Sequence, residues 1–319
     1  MKETSQYLST ITDSKQTLLK SSYLSKKDAI ALMPGQTRGL GGIATVRSSN
    51  ALEASKARAI STESFIFNNF NQPAIAAQSD TVTNSVVFSE TGKVLAVAIA
   101  DAFFGLNPIT NKDIGLSSVT AEVISEGTSF KGVAEGFATV AGAFFVPAGE
   151  TFSFNFSGFL QMNTSLQNAD TQAANTLGRI AFGVYDVTRK PVRLDFLEVT
   201  GGLDTPGHRD FLNFQISNSK KCSNISLDWQ QTGFTLQTGK LEESALVSVV
   251  GEYKTQPFTQ DTLLVVGDFS NGLKQSSELS GHPKYRLNQN HSAFKPQKER
   301  SHMGTSQPSK RKMCSNSAA

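Results

Sequence analysis

The pattern of apolar and polar positions changes near Ser61. From there to residue 270, apolar residues recur at every second position in short runs rich in Val, Ile, Phe and Thr, bounded by Gly, Pro, Asn or Asp. Such runs fall at Ser85–Ser89, Val94–Phe104, Val119–Ser125 and Val133–Val146. A ladder follows in which Phe152, Phe154 and Phe156 alternate with Ser153, Asn155 and Ser157. Successive strand side chains point to opposite faces, so the three rings share one face. Each ring can bury roughly 150–250 Å², while a Ser/Asn face is too polar to bury without partners. A sheet with one dry and one wet face follows, which favours antiparallel pairing.

Further runs centre on Ile180–Val184, Val192–Phe196, Leu212–Ile216, Ile225–Trp229, Leu246–Tyr253 and Thr262–Val266. Alternation slips by one residue at Phe196-Leu197, which predicts a β-bulge there. Pro147-Ala148-Gly149 predicts a hairpin-like turn, and the polar stretch Asn163–Thr176 a loop or one short helix. About ten short strands with no amphipathic helix and no βαβ rhythm predict an all-β fold: an antiparallel β-sandwich, jelly-roll-like, over residues 61–270.

The flanks read differently. Residues 1–60 are rich in Ser, Thr, Lys and Ala and predict a flexible or partly helical extension; residues 271–319 are polar and nearly without aliphatic residues, and predict a disordered basic tail. Charge follows the same division. Residues 1–60 hold nine Lys/Arg and four Asp/Glu (+5), residues 61–270 twelve and twenty-one (−9), residues 271–319 nine and two (+7). An acidic body thus lies between disordered basic N- and C-terminal extensions. No apolar run reaches the roughly 18 residues of a spanning helix, so no transmembrane segment is expected. The N-terminus lacks the apolar core of a secretory leader.

Candidate chemistry is sparse. Of four His, three lie in the tail and only His208 in the body, so a His-based relay has little to draw on. Gly39-Leu40-Gly41-Gly42-Ile43-Ala44 fits a loose G-x-G-x-x-A spacing, but no strand is predicted before it, so it reads as a flexible linker. Ser217–Lys220 fits S-x-x-K without its companion motifs. The two cysteines, Cys222 and Cys314, have no metal-ligand spacing. Asn155, Asn163 and Asn224 open glycosylation sequons, the first and third within strand patterns.

Three sets of residues remain as sites. Asp195 with Glu198, Glu242 with Glu243, and Asp210 are candidate acids for a glycan-active enzyme, which needs two carboxylates about 5–10 Å apart. No catalytic residue is assigned. Calcium is the one cofactor the loops could take, through Asn163, Asn168 and Asp170, or through Asp204 and Asp210. Tyr185, Trp229 and Tyr253 are the non-Phe aromatics in clear strand patterns and the candidates for a ligand-binding row. The basic cluster Lys310-Arg311-Lys312 lacks an interleaved aromatic platform, so nucleic acid is not expected as a partner.

The block VAGAFFVPAGETFSFNFSGFL, followed by IAFGVYDVTRKPVRLDFLEVTGGLDTPGHRDFLNF and TLLVVGDFSNG, resembles uncharacterised cyanobacterial β-sandwich proteins, many of which look like exported proteins of the PEP-CTERM type. The resemblance spans Thr120–Gly272. It implies an extracellular or cell-envelope setting, with a polysaccharide or matrix component as partner, and carries over no catalytic residue. The chain departs from that pattern in having neither a leader nor a Pro-Glu-Pro segment with an apolar helix. The first expectation is a non-enzymatic binding or structural module, carbohydrate- or matrix-associated. A glycan-active enzyme comes second, and a partner-binding protein working through its basic tails third.

Overall fold

The computed structural model describes residues 40–48, 53–207, 209–217 and 224–268. Most of the two predicted extensions, with Cys222, Cys314 and His208, lies outside the described residues. Twelve strands form: β1 (Leu40–Ser48), β2 (Ser55–Asn68), β3 (Ala74–Leu106), β4 (Asp113–Val146), β5 (Ser153–Leu166), β6 (Gln172–Asp186), β7 (Val192–Thr205), β8 (Phe211–Ile216), β9 (Ile225–Leu227), β10 (Gly233–Gln237), β11 (Glu242–Lys254) and β12 (Thr262–Gly267). All pairings are antiparallel, and the described residues contain no helix. The expected all-β, antiparallel class is what the chain adopts.

Four predicted runs merge into two. Ser85–Ser89 and Val94–Phe104 belong to β3, of 33 residues, and Val119–Ser125 and Val133–Val146 to β4, of 34. The polar and Gly residues between the runs do not end the strands; they bend them. The β3–β4 register shifts at Ser89–Gly92, where Gly92 (φ 119°) lies opposite Gly127 (φ 156°). These are left-handed values that favour glycine. A Cβ on Gly92 would come 2.6 Å from the Gly127 Cα.

At this corner the sheet folds over itself. Positions at nearly equal distances either side of Gly127 along β4 meet: a Cβ on Gly136 would come 2.8 Å from Val119 Cγ1. The strands beside β4 fold with it. β2 pairs with residues 127–115 and β1 with residues 138–130, so β1 lies over β2. β6 lies beside β1, and β5 beside β2.

A row of glycines sets how closely the two halves approach. Gly136 of β4, Gly42 of β1, Gly178 of β6 and Gly201 of β7 are successive cross-strand neighbours. Facing them are Val119, Glu63, Leu160 and Met162. A Cβ on Gly42 would stand 2.5 Å from Glu63 Oε2, and one on Gly178 would stand 2.7 Å from Glu63 Oε1. Glu63 therefore fills the space two glycines leave, and it is fully buried. Among the described residues the side chain hydrogen-bonded to it is Ser61, whose hydroxyl reaches Oε1. Burial raises its pKa to about 8, against the smaller opposing effect of Ser61.

Side-chain size grades away from the corner. Nearest it, Ala44, Ala57, Ala59, Ala121, Ala134 and Ala174 pack with Val46, Val123 and Phe130. At the far end the gap is filled by rings. Phe156 lies 4.8 Å from Phe182 across the fold, Phe65 lies 5.7 Å from Phe182, and Phe154 stacks 5.2 Å from Tyr253. The Phe152-Phe154-Phe156 face is inward, as the alternation predicts, and each ring is at most 2% exposed. Tilted and edge-on pairs of this kind add roughly 0.5–1.5 kcal/mol each beyond area burial.

β12 and β1 occupy one slot end to end. β12 pairs with residues 146–141 of β4 and β1 with 138–130, and both also pair with β6. Asp268 stands at the junction: its backbone N–H donates to the Val140 carbonyl (3.2 Å), and its Oδ1 accepts the Val140 N–H (2.6 Å). The carboxylate thus satisfies a backbone donor where β12 stops. Burial pushes the Asp268 carboxyl well above the ordinary range, with Ser117 and Val140 opposing.

Several expectations are corrected here. Gly39–Ala44 is not a linker from Leu40 onward: these residues open β1, and Leu40 and Ala44 are fully buried. Small residues gave no apolar period, yet the fold needs them small. The Pro147–Gly149 turn forms, with Gly149 at φ 85°, but it is no hairpin, because β5 pairs with β2 and β11 and not with β4. Asn163–Thr176 is largely strand, shared by β5 and β6. The bulge at Phe196-Leu197 lies instead two residues earlier: Val184 faces Asp195 and Tyr185 faces Arg193, leaving Leu194 as the extra residue. Asp195, although charged, points inward, and this disguised the true register.

Candidate functional site

The outer face of the β4–β1–β6–β7 half carries a hollow of about 550 Å³, lined by Arg47, Ala173, Asn175, Asp204, Pro206, Gly207 and Arg209. Its residues come from register-matched positions. Arg47 of β1 lies opposite Ala173 of β6; two residues away, Thr45, Asn175 and Asp204 form a row across β1, β6 and β7. On its other side Arg47 lies directly opposite Lys131 of β4. Arg47, Lys131 and Arg209 are all exposed. Among the described residues, none of the ion pairs involves any of the three. Two cations, Arg47 and Arg209, thus line the hollow with one Asn and one Asp on an otherwise acidic body, and Lys131 stands beside Arg47.

The candidate acids are distributed otherwise than the sequence suggests. Asp195 is buried and accepts from Ser217 Oγ (2.8 Å) and Asn224 Nδ2 (2.8 Å); Glu198 lies on the opposite face and accepts from Arg179 Nε (2.9 Å). The two are tied to separate partners and do not converge. Burial lowers the Arg179 pKa, opposed by Glu198. Glu242 is exposed, whereas Glu243 is buried and accepts the Thr205 hydroxyl, which also meets Thr164. Burial pushes the Glu243 carboxyl upward and neighbouring Asp210 pushes the same way, against Thr205. Asp210 and Glu243 are therefore a carboxylate pair the sequence did not signal, since they stand 33 positions apart in the chain. Asp210 Oδ1 also accepts the Asp204 N–H (2.9 Å).

Of the calcium candidates, Asp204 and Asp210 are joined by the hydrogen bond just given. Asn163 sits within β5 between Ile60 and Ser244. Asn168 Oδ1 caps a tight turn by accepting the Asp170 N–H (2.9 Å). Among the described residues no group of three or more His, Cys, Asp or Glu is placed to hold a metal ion.

The three aromatics occupy different environments. Tyr253 is fully buried against Phe152 and Phe154 and contributes to the core. Burial, with Asp195 nearby, pushes its hydroxyl pKa up. Tyr185 is half-buried, lying over Gly183 at the end of β6. Trp229 is 60% exposed in the turn after β9. They sit on separate strands and turns and do not make a row. The cationic hollow was not signalled either: Arg47 lies in the stretch read as an extension, and Arg209 lies far from it in sequence.

These features define an all-β protein whose single sheet is folded at a glycine corner and bears a cationic hollow on one outer face. No protein-family model matches the chain, and no curated protein matches it. Among solved structures, a chain titled "Crystal structure of lysenin pore" aligns at a TM-score of 0.10 and 8% identity, over 67% of this chain and 98% of that one. A likeness at that score carries no argument about fold or function. Among the described residues no helix is long and apolar enough to cross a membrane.

Proposed function

We propose that the chain is a non-enzymatic binding module, built as a β-sandwich from the two halves of its folded sheet, that holds an acidic polysaccharide in the hollow beside Arg47. One observation carries the reading: Arg47 and Lys131 stand directly opposite each other in the ladder. Like charges so placed are destabilising. An anion between them replaces that repulsion with two charge-assisted contacts, and a guanidinium suits a carboxylate or sulfate through its planar donors. Arg209 supplies a third cation, while the Asn175 amide and the Asp204 carboxylate suit sugar hydroxyls. A polysaccharide partner also agrees with the envelope setting that the cyanobacterial resemblance implies.

The test is a glycan array probed with and without calcium, using the wild-type chain and the double variant Arg47→Ser/Lys131→Ser. Both side chains are exposed, so the variant keeps the fold. The expected result is binding to uronate- or sulfate-bearing glycans, weakened by salt and lost in the variant. Three results would overturn the reading: no glycan bound, binding to neutral glycans unchanged in the variant, or binding that requires calcium.

A further inference from the structure

We infer that β3 is a docking edge for a second copy of this chain, joined strand to strand about a two-fold axis at Ile99. β3 pairs with β4 on one side, and among the described residues nothing pairs with its other edge. A free edge is a row of unmatched N–H and C=O groups, which natural sheets protect with Lys, Pro or bulges. Between the bulge at Gly92 and the turn that starts at Asn107, β3 has none of these after Lys93. Its outer side chains are exposed and apolar: Leu95 (57%), Ile99 (53%) and Phe103 (51%), interrupted by Asp101 alone.

The sequence of this straight segment, Leu-Ala-Val-Ala-Ile-Ala-Asp-Ala-Phe from Leu95 to Phe103, has the symmetry that self-pairing needs. In a two-fold contact each residue meets its mirror image across the centre. With Ile99 on the axis, Leu95 faces Phe103 of the second copy, and Ile99 faces itself. Ala96 and Ala98 face Ala102 and Ala100, so the opposite face is alanine throughout. Asp101 faces Val97, so no like charges oppose one another. Gly92 would face Leu106, so the pairing begins and ends where β3 stops being straight. The contact pairs the Leu95–Phe103 edge of each copy with that of the other and yields a closed dimer, with one sheet continuing across the two copies.

Sedimentation equilibrium on the full chain tests this, with Ile99→Lys as the disrupting variant. Ile99 is outward-facing, so the variant keeps the fold, which its thermal midpoint checks. Wild type is expected as a dimer, and the variant's dimer dissociation constant should rise at least about tenfold, because two ammonium groups would meet on the axis. In a Cys222→Ser/Cys314→Ser background, Ile99→Cys should cross-link to itself on mild oxidation and Val86→Cys should not. A monomeric wild type, larger open-ended oligomers, a dimer indifferent to Ile99→Lys, or equal cross-linking at both positions would overturn the inference.

Discussion

Replacing Glu63 by Gln keeps the shape of the side chain between Gly42 and Gly178 and removes its titration. In the native chain the carboxyl holds its proton up to about pH 8, because burial disfavours the anion. The unfolded chain releases the same proton near 4.5. Between those values the native state binds more protons, so raising the pH favours unfolding. Below about 4.5 both states are protonated and the effect vanishes; above about 8 it is complete. Each pKa unit corresponds to about 1.4 kcal/mol, so the full window amounts to roughly 5 kcal/mol. The assay is urea unfolding of wild type and Glu63→Gln at pH 5, 6, 7 and 7.5, with stabilities extrapolated to water. Other titrating groups, Asp268 included, act on both proteins and drop out of the difference. The variant should gain on wild type by about 3 kcal/mol from pH 5 to pH 7.5. A difference that stays flat with pH, or moves the other way, would refute a neutral, fully buried acid at this position.

The glycine row and the strand junction give two more predictions. Gly178→Ala places a methyl group against Leu160 and Glu63, and overpacking of this kind should destabilise by about 1–3 kcal/mol, read as a lower urea midpoint; Gly149→Ala, where the added Cβ meets nothing, is the control for simple glycine loss, its own strain arising from φ alone. Asp268→Ala leaves the buried Val140 N–H without its acceptor and should lose about 1–3 kcal/mol, with Asp268→Asn losing less because an amide oxygen can still accept; hydrogen exchange at the Val140 amide reads the same contact directly.

Much of the architecture is legible in alternation alone. Phe152, Phe154 and Phe156 declare their inward face, and the absence of helical periodicity matches the all-strand structure. The corner is not legible, because Gly92 and Gly127 look like ordinary turn residues that end strands, whereas here they bend two strands that continue. β1 escapes notice for a related reason. Its buried positions are Leu, Gly, Ala, Val and Ser, mostly small to let the halves of the sheet approach, and smallness resembles a linker. Asp195 and Glu63 invert the expected polarity by placing carboxylates inside. The cationic hollow draws Arg47 and Arg209 from distant segments, and only the register sets Lys131 beside Arg47.

The folding of the sheet at Gly127 is tested most directly by nuclear Overhauser contacts in the isotopically labelled full chain. Val119 and Gly136 would stand roughly 55 Å apart along a straight strand. The folded sheet places the Val119 methyls against the Gly136 α-protons and those of Gly42 against the Glu63 side chain. Cross-peaks between both pairs are the predicted result. A spectrum in which Val119 contacts its ladder partners Glu63 and Ala100 but never Gly136 would contradict the fold, and with it the placement of Glu63 between two glycines.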